Sequence, residues 1–424
     1  MTPHDTHDPS AVAAARPRFS LLRVPAALLT LLLFAATAAA QAQPLYDAPA
    51  RFTIKSEALG EERAILVRTP PGYERGDARF PVLYMTDGDA HLLHTSGTVN
   101  FLARNGRIPE MIVVGITNTD RTRDLTPTRS ALPLPNGQPQ FPTSGGADKF
   151  LKFIETELIP HVEKNYRVVP FRALAGHSIG GLFTLHAMVS RPELFNAYIA
   201  VSPATQWEDY MIVKRVEEFF KDRKDWNRTL YVSLGREPGN ITLGFEKLKE
   251  VLGRQKVNGF VWDSAHLEDE DHGSVVLRSH YAGLRKVFDG WQVPREERTG
   301  QIAGSLKDVE EHYRKLSERL GYPVLMPEFI MNFFGYQLLN DGEKEEAVAA
   351  FKLNVERYPR SANVYDSLAE AYERDGKLDL ALPLYARAAA VARETSDPNL
   401  NLFQQNHDRV AGLLKQPANA AGNK

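Results

Sequence analysis

From residue 51 to about 290, short β-rich runs alternate with longer helical patterns, and that alternation constrains the fold more than any other feature of the chain. Successive parallel strands need a crossover of a dozen or more residues, usually a helix. The pattern therefore predicts an α/β fold whose mostly parallel central sheet is covered on both faces. Strands are expected at 51–56, 63–68, 81–86, 111–116, 172–176, 197–202, 229–234 and 257–263, and helices at 147–164, 180–190, 208–221, 243–254 and 274–288. The runs Val82-Leu83-Tyr84-Met85 and Met111-Ile112-Val113-Val114 show no polar alternation, so these two strands belong at the centre of the sheet. Residues 118–146, rich in Pro, Thr, Arg and Gly, are read as the wall or lid of a pocket, with a disordered surface loop as the alternative.

The two ends have a different character. Arg16, Arg18 and Arg23 precede an apolar run at 24–34 and two A-x-A sites, Ala38-Ala39-Ala40 and Ala40-Gln41-Ala42. This reads as a secretory signal over 1–42, so the mature chain is expected to be exported, periplasmic or secreted, with no permanent membrane span after cleavage. The apolar run is shorter than the ~20 residues that spanning requires. The chain has no cysteine, which excludes a thiol nucleophile, a cysteine zinc site and disulfide support. A formal net charge of -2 offers no basic excess, so a small molecule rather than nucleic acid is the expected partner.

Beyond 292 the pattern becomes charged and amphipathic, without a convincing strand. A shift of 34 residues superposes Gly335 on Ala369, Leu338 on Tyr372, Gly342 on Gly376, Ala347 on Ala381 and Phe351 on Tyr385, which resembles the tetratricopeptide repeat. Pro359 closes the first unit, while Pro383 falls inside a helix of the second and is expected to bend it. The expected organisation is a signal at 1–42, an α/β domain at 43–292, a helical linker at 293–326, an all-α tetratricopeptide-like domain at 327–415 and a disordered tail at 416–424. Two repeats are few for a solenoid, so this part is a candidate for docking on the α/β domain, on a protein partner or on a second copy.

Chemistry concentrates at Gly176-His177-Ser178-Ile179-Gly180. By chance a G-x-S-x-G pentapeptide arises about 0.1 times in a chain this long, so the setting must carry the argument. Arg172-Ala173-Leu174-Ala175 before it reads as a buried strand and residues 181–187 after it as a helix. A nucleophile elbow requires that strand–turn–helix, with Ser178 as the nucleophile of an α/β-hydrolase. A serine hydroxyl needs a histidine to take its proton and a carboxylate to orient that histidine, and in this fold both follow the serine in the order acid, histidine. His272 is the expected base, in a loop before the last helix; His266 is its rival, and His280 lies within a helical run. Glu237, in a turn after the strand at 229–234, is the expected acid, with Asp263, Asp269 and Asp271 as alternatives. The backbone amides of Ile179 and Asp89 are the expected oxyanion donors, the latter in the loop after the strand at 81–86. No cofactor or metal is expected. His91 and His94 lack the H-E-x-x-H pattern and residues 268–271 lack calcium-loop spacing, so both are read as solvated.

The segments Leu83-Tyr84-Met85-Thr86-Asp87-Gly88, Arg121-Thr122-Arg123-Asp124-Leu125-Thr126-Pro127, Gly176-His177-Ser178-Ile179-Gly180-Gly181 and Ser202-Pro203 together resemble an esterase family. That family includes trilactone siderophore esterases, S-formylglutathione hydrolase, feruloyl esterases and mycolyltransferases. The resemblance runs from about 51 to 291 and implies that Ser178, Glu237 and His272 form the triad of a serine esterase acting on a small-molecule ester. Relatives often carry two tryptophans where Ser202-Pro203-Ala204-Thr205-Gln206-Trp207 has one. Trp207 is thus a candidate for the pocket wall or for core packing. Arg121 and Arg123 are candidates to bind a substrate carboxylate or catecholate, and Arg121 is equally placed to pair with Asp124. Besides ester hydrolysis, two other functions are open: acyl transfer to a sugar or lipid hydroxyl, and a non-catalytic envelope interaction protein that binds through its helical repeats.

Overall fold

Every residue from Phe80 to Met85 is buried, and alternate side chains take opposite sides: Val82 and Tyr84 enter one core, Leu83 and Met85 the other. Such a strand must be covered on both faces. A computed structural model describes residues 48–75 and 77–415; the signal expected at 1–42 and the tail expected at 416–424 lie outside the described residues. Eight strands, β1 (Ala50–Ser56), β2 (Glu61–Arg68), β3 (Phe80–Met85), β4 (Ile112–Ile116), β5 (Val168–His177), β6 (Ala197–Val201), β7 (Asp225–Gly235) and β8 (Asn258–Leu267), form one sheet in the order β1-β2-β4-β3-β5-β6-β7-β8. The β1–β2 and β2–β4 pairs are antiparallel, and all the others are parallel. Each strand falls where the apolar runs predict one, with β3 and β4 inside the sheet.

The crossovers are α1 (Gly88–Arg104), α2 (Arg121–Leu125), α3 (Ala147–Phe153), α4 (Ile159–Asn165), α5 (Ile179–Ser190), α6 (Trp207–Phe220), α7 (Asn240–Gly253) and α8 (Val275–Val287). A π-helical turn, Ile154–Leu158, joins α3 to α4, so the helix expected at 147–164 is one interrupted run. Neither α1 nor α2 is among the expected helices. The middle of α1 is Thr95-Ser96-Gly97-Thr98, all weak helix formers, and tertiary burial of Leu92, Val99 and Leu102 outweighs that propensity. In α6, Glu208, Asp209 and Tyr210 are left-handed, with φ of 44°, 53° and 59°, so its regular part starts after them.

The remaining helices are α9 (Leu306–Leu320), α10 (Glu328–Asp341), α11 (Lys344–Arg357), α12 (Ala362–Arg374), α13 (Leu378–Thr395) and α14 (Leu400–Lys415). The hairpin α12/α13 starts 34 residues after α10/α11, from 328 to 362 and from 344 to 378. Helix α13 continues through Pro383 for 18 residues in all. This helical part meets the sheet at the end where its parallel strands begin: Phe171, near the start of β5, lies 5.3 Å from Phe288 and 5.9 Å from Tyr322 between ring centres. Asn227, at the start of β7, donates to the Arg319 carbonyl at 3.0 Å. At about 3.3 Å per residue, the seven steps from Phe171 to Ser178 span about 23 Å. Among the described residues, no helix is long and apolar enough to cross a membrane.

Candidate active site

Ser178 follows directly on β5 with φ 61° and ψ −118°, a conformation that costs a non-glycine residue about 1–3 kcal/mol and persists only where its surroundings enforce it. They do so here. The Ser178 amide donates to Val201 O at 2.9 Å and its carbonyl accepts from Ala204 at 3.0 Å. The flanking glycines are a steric requirement: a Cβ at Gly176 would lie 2.1 Å from Gly180 O, and one at Gly180 would lie 2.4 Å from Thr86 Oγ1.

Three loops at the carboxyl ends of β5, β7 and β8 bring the expected acid, base and nucleophile together. His272 Nε2 lies 3.0 Å from Ser178 Oγ, and His272 Nδ1 lies 2.6 Å from Glu237 Oε2. A carboxylate accepts only, so Nδ1–H donates to Glu237 and the bare Nε2 accepts from the serine hydroxyl. Burial alone would raise the Glu237 carboxyl, but hydrogen bonds from His272 and Ser202, with the His272 charge, hold it below its ordinary value. The acid and base loops touch at Gly235, where a Cβ would lie 2.8 Å from Asp271 O, and the Arg236 amide donates to Glu270 O at 2.7 Å.

The alternatives stand elsewhere. His266 lies on β8 with its ring 6.2 Å from that of Phe245, and Asp263 and Asp269 pair with Lys286 and Arg278. Asp271 shapes the histidine loop, its carboxylate accepting from the amides of Gly273 at 2.9 Å and Ser274 at 2.8 Å.

Ile179 opens α5 and Asp89 lies in the first turn of α1, so both amides belong to helix N-termini, whose first N–H groups have no partner within the helix. Asp87, just before α1, is left-handed with φ 55° and buried. Its carboxylate accepts from Arg121 at 2.5 and 3.0 Å and from Asn118 at 2.7 Å. Burial would raise it, but Arg121 holds it below the usual carboxylate range. Arg121 also donates to His177 O at 3.0 Å, so the pairing with Asp124 considered from sequence is not the one formed. Asp124 is taken by Arg123 at 2.7 Å and by the buried Arg63 at 2.6 Å, and Arg123 bonds Glu61 as well. Burial would raise Glu61, but Arg123, the Thr119 hydroxyl at 2.6 Å and Arg63 hold it at about 2.

Trp207 is buried. Its Nε1 donates to Thr128 Oγ1 at 3.0 Å and its ring lies 5.3 Å from that of Phe141, so it anchors the segment 118–146. Glu208 holds the same segment through the Ala131 amide at 3.1 Å. His91 and His94 are half-buried rather than solvated, with ring centres 5.2 Å apart and within 6.4 Å of His280. Among the described residues, no three histidine or carboxylate side chains are arranged to hold a metal ion. Sequence reasoning did not identify Arg63, Asp87 or the packing of His177. Only the inward position of Arg63 in the alternation of β2, shared with Ile65 and Val67, signalled its burial.

A strained serine at a strand–helix elbow, on an open and mostly parallel sheet with histidine and glutamate in line, defines the α/β-hydrolase class. Residues 56–243 match the family model described as "Putative esterase". Over those residues the chain is similar to that family. It is 35% identical over 184 residues to the ferri-bacillibactin esterase BesA of Bacillus subtilis, a match that spans 39% of this chain and 61% of that one. It is 29% identical over 272 residues to the siderophore triacetylfusarinine C esterase of Aspergillus fumigatus, covering 55% of this chain and 90% of that one. Among solved structures, the IroE-like serine hydrolase from Shewanella oneidensis superposes with a TM-score of 0.60 at 28% identity, over 73% of this chain and 99% of the other.

Proposed function

We propose that this protein is a serine esterase that cleaves a carboxylic ester through an acyl-enzyme on Ser178. The observation that carries the reading is the unbroken line of hydrogen bonds from Ser178 Oγ through the His272 ring to Glu237. In this scheme Ser178 Oγ attacks the ester carbonyl as its proton passes to His272 Nε2, and Glu237 stabilises the imidazolium. The amides of Ile179 and Asp89 receive the oxyanion, and His272 returns the proton to the departing alcohol. Water, deprotonated by His272, then attacks the acyl group, releasing the acid and restoring Ser178. Arg121 and Arg123 use their guanidinium groups on Asp87 and on Glu61 with Asp124, so in this reading they shape the site rather than grip a substrate carboxylate.

The substrate class proposed is a siderophore-type ester, supported by relatives named as a siderophore triacetylfusarinine C esterase and a siderophore enterobactin esterase. The test is a panel of short nitrophenyl esters, feruloyl sugars and siderophore trilactones, scored by kcat/KM for wild type and Ser178→Ala. Trilactone turnover well above that of the other esters, with a loss of about 10⁴-fold or more in the variant, is expected. Equal turnover by wild type and variant would reject the mechanism, and preference for another ester would reject the substrate.

We also infer export, from the signal read at 1–42, and a tetratricopeptide-like domain at 327–415, supported by the 34-residue offset of its helix pairs. Cell fractionation of the full chain tests the first: a solely cytoplasmic location would reject it.

A further inference from the structure

The mechanism above gives His177 no task, although it lies between Gly176 and the nucleophile. Its ring centre is 4.6 Å from that of His272 and 5.7 Å from that of His91. His177 Nε2 lies 2.7 Å from the main-chain oxygen of His272. A carbonyl only accepts, so the bond selects one tautomer, with the proton on Nε2 and Nδ1 bare. Burial, assisted by the His272 and His91 charges, pushes the imidazole down to about 4, so the ring is neutral wherever a serine–histidine pair operates.

The connections made by this residue are unusual in their reach. The loop carrying His272 is shaped mainly by its own contacts, with Asp271 binding the amides of Gly273 and Ser274 and its carbonyl accepting from Val275. Among the described residues, two hydrogen bonds join residues 270–274 to the elbow at 176–180: the Ser178–His272 bond itself and the one from His177. The His177 carbonyl in turn accepts from Arg121, which holds Asp87 just ahead of the second oxyanion donor. One residue next to the nucleophile thus ties the base loop by its side chain and the oxyanion loop by its main chain.

We propose that His177 is a positioning residue for ester cleavage: by donating Nε2–H to the His272 carbonyl it sets the height of the His272 imidazole over Ser178. The proposal rests on the assignment of Ser178 and His272 as nucleophile and base. Its physical basis is that a misplacement of about 1 Å between reacting groups can cost about 10²-fold in rate. A backbone carbonyl held at 2.7 Å fixes the loop more firmly than ring packing alone.

The test uses the full chain and four proteins: wild type, Ser178→Ala, His177→Phe, which keeps a ring and loses the donor, and His177→Gln, whose amide N–H reaches near the position of Nε2. Each is measured for kcat and KM on a nitrophenyl ester, for the rate and end point of fluorophosphonate labelling, and for melting temperature. For His177→Phe the expected result is a kcat lower by about 10- to 100-fold, with KM within about twofold, and a labelling rate that falls in step while the end point stays complete. His177→Gln is expected to recover most of that loss even if both variants melt at the same lowered temperature. The proposal is overturned if His177→Phe keeps kcat within about twofold. It is equally overturned if His177→Gln loses as much as His177→Phe, or if the loss lies wholly in the labelling end point, which would mark a structural role. A wild type that takes no label at Ser178 would instead reject the catalytic assignment on which the proposal stands.

Discussion

Asp87 is the residue whose surroundings decide what Arg121 does. A buried carboxylate in a left-handed turn needs a cation, and Arg121 supplies it with two bonds. Arg121→Ala should therefore lower kcat by about 10- to 100-fold on neutral and anionic esters alike, because the oxyanion loop loses its clamp. If Arg121 instead bound a substrate carboxylate, KM would rise for anionic esters only, and steady-state kinetics on matched neutral and charged esters separates the two. His280 gives a second prediction at this scale. It is buried with Nδ1 2.8 Å from Thr95 Oγ1, and burial among His94, His91 and His177 pushes it down to about 3. Its folded value lies below the ordinary 6.5, so the unfolded chain takes up the proton first as pH falls. The resulting loss of stability begins near pH 6.5, continues toward pH 3 and has a slope of up to about 1.4 kcal/mol per pH unit for this group. His177 adds the same sign down to about 4. Urea melts between pH 7.5 and 5 should show this slope, and His280→Leu should flatten it; an unchanged slope would remove His280 from the account.

At the scale of single elements, β2 and α2 are joined by a charge pair that no local pattern displays. Arg63 and Asp124 are both about 2% exposed or less and 2.6 Å apart, with the Arg63 guanidinium 5.3 Å from the Phe150 ring centre. Removing Asp124 takes one charged partner from the buried Arg63 and leaves it Glu61, so Asp124→Ala is expected to cost about 1–3 kcal/mol in denaturant unfolding. A loss under about 1 kcal/mol would mean that Glu61 alone suffices to neutralise Arg63. The same limit governs what was legible beforehand. The strands could be read because apolar runs such as Val82–Met85 state their burial directly, whereas α1 could not, since Thr95-Ser96-Gly97-Thr98 disfavours the helix that packing imposes. That Ser178, Glu237 and His272 come together could be read from their order after successive strands. The Arg121–Asp87 clamp could not, because it joins residues 34 apart through a fold that no short window contains.

Across the whole molecule, the two ends of the sheet carry different things. Ser178, Glu237 and His272 follow the carboxyl ends of β5, β7 and β8, while Phe171, Phe288 and Tyr322 hold the helical part near the other end. Among the described residues, open surface clefts of about 510 and 550 Å³ lie in that helical part, the second lined by the exposed Phe329 and Phe333. Truncation after Arg298 should therefore lower the melting temperature, since each large apolar side chain uncovered costs about 1.5–3 kcal/mol. The kcat per titrated active site should stay within about twofold; a loss in correctly folded protein would bring the helices into the catalytic account. Ester cleavage as proposed needs Ser178 Oγ as the nucleophile that forms the acyl bond, and locating a fluorophosphonate adduct by peptide mass spectrometry shows whether it is. One phosphonyl group is expected, on the peptide carrying Ser178, with ester turnover vanishing as it forms. Modification of a different residue, or full turnover with Ser178 occupied, would contradict it.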